Sequence, residues 1–460
     1  MTNTKTNFWQ RNKNKKIAVI LFLFLLVFIH KSYSQNWHAL GVGSNNNVEA
    51  IISFNGGMVS GGNFTNIGGI AANRIATWNG TTWSAMGTGV NNDVLAFAVF
   101  NNELIVAGTF TTAGGVNVHR IAKWNGSSWL LLDNGTDMNN DINALAVFNG
   151  NLYAAGNFTN AGGVAVNRIA MWNGTTWSAL GTGVNNTVYA LALYNNTLVA
   201  GGNFTTAGGV TVNRIASWNG TAWSALGTGV NDIVYALAPS GTDLFVGGAF
   251  TTVSGSAVSR IAKWNGSWSG LGTGVNDIVN SLLIYNTTLV AGGKFTTAGG
   301  INASRIAMWD NVSWTTLGTG MSGGNPTQVL ALAMFNSSPH AGGNFNVAGG
   351  VTVNNVTRWD GPTGIITGNS GIPQAYSLQQ NYPNPFNPST SIAFMIANSG
   401  FTTLKVYNLL GSEVATLVNR NLTPGSYEVK LDASDLASGV YYYKLVSGNF
   451  ESVKKLVVVK

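Results

Sequence analysis

The sequence predicts an all-β protein: a seven-bladed β-propeller of four-stranded blades, closed by its own N-terminal strand, followed by a small β-sandwich. Three observations carry this expectation. Tryptophan recurs in two interleaved series, one from Trp37 to Trp314 and one from Trp78 to Trp359, with spacings of 45 to 50 residues. Each period holds four short strand signals separated by Asn-Gly or Asn-Asn, dipeptides that tolerate the positive φ of tight hairpin turns. After residue 361 tryptophan disappears and the period stops. Fixed repeats of this length built from four strands are the mark of a propeller blade. The domains expected are thus a leader at 1–34, the propeller at 35–361, a linker at 362–375 and the sandwich at 376–460.

The leader accounts for the basic charge. The chain of 460 residues has a formal charge of +7, but residues 1–34 hold six Lys and Arg and no acid, against ten and eleven in 35–361 and seven and five in 362–460. A basic stretch ending at Lys15-Lys16 precedes the apolar run Ile17–Ile29 and the small residues Ser32 and Ser34. This reads as a secretory signal cut between Ser34 and Gln35. The alternative, a membrane anchor, is too short: at about 1.5 Å per residue the run reaches roughly 20 Å of a hydrocarbon core about 30 Å thick. No later stretch can span a bilayer. What remains is near neutral, which excludes nucleic acid as a partner. The absence of cysteine excludes disulfides, thiol nucleophiles and zinc knuckles.

A typical unit runs from Trp177 to Ala222. Its strand signals are a (VYALALY), b (TLVAGGNF), c (RIASW) and d (WSALG). The array begins with a lone d strand at Trp37–Gly41 and ends with a lone c strand at Asn355–Asp360. Pairing the two ends completes the seventh blade and removes two exposed sheet edges.

A residue repeated in every unit serves the scaffold. Gly62 and its counterparts near the end of strand b permit close backbone approach. The Phe two positions on, Phe64 in the first unit, and the Trp pairs fill the spaces between blades. Arg74, Arg120, Arg168, Arg214, Arg260 and Arg305 open strand c, with Asn355 in the seventh unit. They are expected to bond carbonyls of neighbouring loops rather than to form a cationic ligand ring.

Function is then expected where units differ. The a–b and c–d turns lie on one face, and the longer b–c and d–a loops lie on the other. The second face also carries the insertions Leu132–Asn139 and Met321–Thr327, and it is the nominated binding face. It gathers Asp93, Asp133, Asp137, Asp141, Asp232 and Asp277. Calcium is the one metal such acids suit, but no loop has dense Asp-x-Asp-x-Asp spacing, and Asp also caps turns. No cofactor is otherwise expected. One variable position near the start of strand a holds Glu49, Leu95, Asn143, Tyr189, Tyr235, Asn280 and Leu330. These residues are expected at the channel mouth, where Tyr189 and Tyr235 could stack on sugar rings. His119 ends a b–c loop and is a candidate ligand contact, whereas His38 and His340 read as packing or surface variants. No catalytic triad elbow, zinc-protease helix or phosphate loop is present.

The last 85 or so residues carry strand signals at 391–396, 402–409, 413–419, 426–431, 439–446 and 452–459, the pattern of a small sandwich. The run Asn381-Tyr382-Pro383-Asn384-Pro385-Phe386-Asn387-Pro388, the segment Gly439-Val440-Tyr441 and the closing Lys454-Lys455 resemble the C-terminal sorting domain of type IX secretion cargo. The resemblance implies an immunoglobulin-like (Ig-like) sandwich read by the outer-membrane secretion machinery. It also implies export to the surface or medium of a Bacteroidota-like Gram-negative bacterium. More loosely, the repeats are similar to the A-G-G-x-F-T…R-I-A-x-W repeats of secreted bacterial propellers and fungal cortical polarity markers.

Two functions remain. The first is a non-enzymatic, monomeric binding or adhesion module for a glycan or protein. The second is a polysaccharide-active lyase or glycosidase, which would need convergent carboxylates or a Tyr/His base in the channel.

Overall fold

The computed structural model describes residues 37–132, 138–360, 366–368, 376–422 and 424–459. Asp133, Asp137 and the Ser34–Gln35 junction lie outside the described residues. Among the described residues every regular element is a strand, and no helix is long and apolar enough to cross a membrane.

Residues 37–360 form seven four-stranded antiparallel sheets. Unit 4 illustrates the pattern, with strand a at Val188–Tyr194, b at Thr197–Gly202, c at Ile215–Trp218 and d at Trp223–Ala225. Residues 1, 3, 5 and 7 of strand a are buried between sheets, while residues 2, 4 and 6 are more exposed, as the two-residue period of a strand requires. In unit 7 the d strand is Trp37–Ala39, which pairs with Val356–Trp359 in the register Trp37↔Trp359, His38↔Arg358, Ala39↔Thr357.

The a strands touch in cyclic order, with Gln328–Phe335 of unit 7 against Val48–Phe54 of unit 1. The apolar core has the same cyclic form. It divides into clusters that each bridge two consecutive sheets, and one of them unites Leu40, Val48 and Phe64 with Phe335 and Val356. The repeated Phe is fully buried in all seven units. At the repeated Gly, close approach is the reason no side chain fits. A Cβ on Gly62 or Gly202 would lie 2.1 or 2.2 Å from the carbonyl oxygen of Asn47 or Thr187.

Six d-strand Trp also reach the preceding sheet through the indole N–H. Trp83 Nε1 donates to Leu40 O at 2.8 Å, Trp223 Nε1 to Leu180 O at 3.0 Å and Trp314 Nε1 to Leu271 O at 2.9 Å. Trp37 Nε1 donates to Leu317 O at 3.1 Å, so the chain's first described residue makes the bond its position in unit 7 demands.

Two features depart from the sequence expectation. The b–c loops are not open loops: each folds into a tiny hairpin, such as Thr206–Ala207 with Val210–Thr211. In units 1 to 6 an Asn side chain on the d–a loop ties the hairpin down, as Asn185 does by accepting from Thr205 N and Thr206 N. In unit 7 the inserted segment adds a strand, Met321–Ser322, to that hairpin. Second, residues 366–368, expected in a linker, form a strand antiparallel to Ser426–Glu428.

The C-terminal region has two four-stranded antiparallel sheets. One contains Ser389–Ile396 and Gly425–Asp432, and the other contains Gly400–Tyr407, Glu413–Leu422, Gly439–Ser447 and Phe450–Val458. Both contribute to one core that includes Phe394, Val429, Leu404, Tyr443 and Leu456.

Candidate functional site

Strand a has a β-bulge near its start in all seven units, at its second residue in units 1 to 6 and at the third, Leu330, in unit 7. The register jumps across it, between Val48 and Ala50 in unit 1 and between Val188 and Ala190 in unit 4. The displaced residues are Glu49, Leu95, Asn143, Tyr189, Tyr235, Asn280 and Leu330, the variable set of the sequence. A bulge re-aims its side chain and leaves it outside the ladder, and bulges are common beside binding and catalytic sites.

Six of the seven line a cavity of about 250 Å3 bounded by all seven a strands. Asn143 is not among the lining residues, and its Nδ2 donates to Val188 O at 3.1 Å. The fourth residues of the strands, including Ile51, Phe97, Leu191 and Leu332, form an apolar floor beneath the variable rim. Tyr189 and Tyr235 lie side by side with ring centroids 5.1 Å apart, tilted by 51°. Asn280 Nδ2 donates to Val329 O at 3.0 Å.

Glu49 has a pKa pushed up to about 7, first by burial and then by the negative charge of Asp93, with a hydrogen bond from Asn47 opposing both. Tyr235 is raised as well, by burial, then by Tyr189 and then by Asp232.

The described aspartates are engaged one by one. Asp93 lies 4.0 Å from Arg74 Nε and Asp141 lies 3.7 Å from Arg120 Nε. Asp232 accepts from Ile233 N and Asp277 from Ile278 N, both at 2.7 Å, as turn-capping Asp does. Among the described residues no three His, Asp or Glu converge as metal ligands. His119 sits half-buried at φ 46°, next to Arg120 at the start of strand c.

The repeated arginines serve the scaffold. Arg74 Nη1 donates to Asn63 O at 2.7 Å, Arg260 Nη1 to Ala249 O at 3.1 Å and Arg305 Nε to Thr327 O at 2.9 Å. All six have positive φ, from 61° to 73°, as does Asn355 at 70°. The backbone N of Arg74 donates to Phe64 O, and its carbonyl accepts from Gly62 N, which holds this left-handed bend in place. In unit 7, Asn355 Nδ2 replaces the guanidinium by donating to Ser44 O at 2.9 Å.

The histidines read as variants have specific roles. His38 Nε2 is 2.8 Å from Asp360. His340 is buried with its Nδ1 against Ser338 O at 3.0 Å and its Nε2 unpartnered. Burial chiefly depresses its pKa to about 4; Arg358 also lowers it, while the Ser338 bond and Asp360 oppose.

In the C-terminal region the motif segments meet. Asn384 Oδ1 accepts from Val457 N at 2.9 Å and its Nδ2 donates to Lys455 O at 3.2 Å. Phe386 is buried and bonds Val457 through its backbone, while Tyr382 is 83% exposed. Asn381 N donates to the Tyr443 hydroxyl at 2.8 Å, and that hydroxyl, its pKa pushed up to about 12 by burial, donates to Gln379 O. Pro383, Pro385 and Pro388 all follow cis bonds. Gly439–Tyr441 pairs with Leu456–Val458, and Lys454 and Lys455 pair with Tyr443 and Tyr442.

Residues 380–459 match the secretion system C-terminal sorting domain family. This segment is a type IX sorting domain, and the protein is secreted or displayed at the surface of a Bacteroidota-type bacterium. The chain is also similar to a solved structure of PorZ, described as an essential bacterial surface component of the type-IX secretion system of human oral-microbiomic Porphyromonas gingivalis. Identity is 14% and the TM-score 0.46, over 91% of this chain and 60% of that one. The chain thus spans about 60% of the length of that structure. No curated protein matches the chain.

Proposed function

We propose that residues 35–361 are a seven-bladed β-propeller, exported under a signal removed after Ser34 and carried by an Ig-like sorting sandwich. On this reading the propeller is a non-enzymatic binding module for a glycan or protein, and its recognition site is the rim of the central cup. One observation carries the reading. Units alike at nearly every scaffold position differ at the bulged residue of strand a, and six of those seven side chains line one cavity. Variation that converges from seven strands on one cavity is what a recognition site on a repeated scaffold requires.

The second reading, a polysaccharide-active enzyme, draws on Glu49, whose raised pKa near 7 suits a general acid. Against it, Glu49 is the one carboxylate among the residues lining the cup, and Asp93 faces Arg74. A glycan array and a reducing-sugar assay on the same purified chain separate the two. Array binding that falls at least tenfold in a Tyr189→Ala/Tyr235→Ala variant, without sugar release, supports the binding module. Turnover abolished by Glu49→Gln overturns it.

A further inference from the structure

We infer that the cup takes an organic cation, a primary ammonium or guanidinium on an aliphatic stem of lysine or arginine size. The inference rests on the reading of the cup as the recognition site and goes further by naming the chemistry of the occupant.

The first argument is the order of side chains around the rim. From unit 1 to unit 7 the bulged residues read Glu, Leu, Asn, Tyr, Tyr, Asn, Leu. In a closed cycle of seven this order is mirror-symmetric. Glu49 stands at one pole, the Tyr189–Tyr235 pair lies across from it, and a leucine and an asparagine follow on each side. Tandem duplication makes neighbours alike; it does not produce a mirror. The cup therefore has an anionic pole and an aromatic pole facing each other.

The second argument is the hydrogen-bonding inventory. Among the described residues lining the cup none is Lys, Arg or His, and Glu49 is the single charged group. Asn280 gives one of its two Nδ2 hydrogens to Val329 O, which leaves its carbonyl oxygen and one N–H for the cup. The rim thus offers one charged acceptor, the Glu49 carboxylate, with an amide oxygen and two phenol oxygens, while its donors, the phenols, the second Asn280 N–H and the Ser281 hydroxyl, are all neutral. A neutral sugar needs donors and acceptors in comparable number along its hydroxyls. An ammonium or guanidinium supplies donors only, and tyrosine faces attract it.

The third argument is the floor. Ile51, Phe97, Leu191 and Leu332 offer methylene-sized contacts that suit an alkyl stem, as amphipathic cations bury their stems and keep the charged head at a polar rim. A cavity of about 250 Å3 is below the roughly 300–1,000 Å3 of sites for drug-sized ligands and suits one side chain.

The charged groups facing Glu49 are few. Asp93 comes from the loop entering unit 2, with Arg74 4.0 Å beyond it. On the other flank, Leu330 and Leu332 of unit 7 carry no charge. Glu49 has a hydrogen bond from Asn47 but no cation among the residues lining the cup, and a bound cation would supply one and hold the carboxylate ionised.

The test is calorimetric titration of the purified chain with Nα-acetyl-lysine amide, Nα-acetyl-arginine amide, neutral Nα-acetyl-norleucine amide and the free diamine cadaverine. At pH 8 a cationic probe should bind at least tenfold tighter than the norleucine amide. Glu49→Gln should remove that preference, and Tyr189→Leu should weaken cation binding several-fold. At pH 5.5, where Glu49 is protonated, the preference should fall at least tenfold. A capped amino acid binding more tightly than cadaverine identifies a side chain of a protein partner, and the reverse identifies a free amine; both support a cation. Equal binding of the lysine and norleucine probes, no binding of any cation, or an unchanged preference in Glu49→Gln overturns the inference. If array sugars still bind the chain and lose affinity in the Tyr189/Tyr235 variant, the cup stands as the recognition site and only its cation chemistry fails. If those variants affect nothing, both fail. Melting curves of Glu49→Gln and Tyr189→Leu establish that the variants are folded.

Discussion

Unit 4 is one continuous stretch of chain, whereas unit 7 is assembled from residues near both ends of the array, yet the two have the same geometry. The Trp218–Trp223 rings are 5.4 Å apart and the Trp359–Trp37 rings 4.9 Å. The inter-sheet bonds from Trp223 and Trp37 measure 3.0 and 3.1 Å. What differs is chemistry. Where unit 4 has Val199, Ser217 and Ser224 abreast on strands b, c and d, unit 7 has His340, Arg358 and His38. The ladder and the Trp bond, rather than covalent continuity, define a unit, and where residues near both ends of the array meet, unit 7 carries a cation and two histidines where unit 4 is neutral; units 2 and 5 place Lys123 and Lys263 at the same strand-c position.

The largest expected effect breaks the geometric half of this comparison. Trp37→Ala and Trp223→Ala should each cost about 3–5 kcal/mol, since each deletes a buried ring and its bond. Hydrogen exchange distinguishes them. In Trp37→Ala the amides of 356–359 should exchange far faster than in the wild type, because the closing strand is tethered from one side only. Unchanged protection there would show that the seam does not depend on this strand.

A second test addresses the rim beside the seam. A carboxyl whose folded pKa of about 7 exceeds its ordinary value of 4.5 favours the folded state while protonated, so its contribution declines as pH rises from 4.5 to 7. Glu49→Gln should therefore be more stable than the wild type at pH 8, by up to about 3 kcal/mol, and equal to it at pH 4. Denaturant melts at the two pH values check this; a difference independent of pH breaks it.

His340 has the opposite sign. With its pKa lowered from 6.5 to about 4, the unfolded chain takes the proton first, and stability falls as pH drops through that window. His340→Val, which copies unit 4, should gain up to about 3 kcal/mol relative to the wild type between pH 7.5 and 4.5. The reciprocal Val199→His should import acid sensitivity into unit 4. Parallel pH profiles for wild type and His340→Val would refute the assignment.

The smallest effect is expected at the surface. Asp360 contacts Arg358 Nε at 2.6 Å and His38 Nε2 at 2.8 Å, but all three side chains are at least one-third exposed. Asp360→Asn should cost under about 1 kcal/mol and less in 1 M salt. A larger loss would make the seam's charges structural.

Much of this scaffold was legible because tryptophan and the Asn turns repeat often enough to act as a ruler, and the six strands expected after residue 376 lie within a few residues of their observed bounds. The two-residue hairpins were not legible, because an element that short has no period. Nor was the left-handed bend at Arg74 and its counterparts: nothing in Arg predicts positive φ, and it follows from Phe64 O and Gly62 N closing around that residue. At the candidate site, the variable position could be read from the repeats, but its bulge, which sends Glu49 and Tyr189 into the cup, is a property of strand pairing. His340 passed as a packing variant because burial of one ring nitrogen without a partner leaves no mark in sequence.

The tilted tryptophan pairs also have an optical consequence. In unit after unit two indoles sit 5.2 to 5.4 Å apart with planes crossed by 46° to 57°, close enough for their excited states to couple and skewed enough for the coupling to be chiral. Such pairs give a circular-dichroism couplet that a single indole cannot. Because the Trp37–Trp359 pair is the one that joins the two ends of the array, the loss of one pair's share of that couplet, with the others intact, would be an unlabelled spectroscopic signal of an open seam.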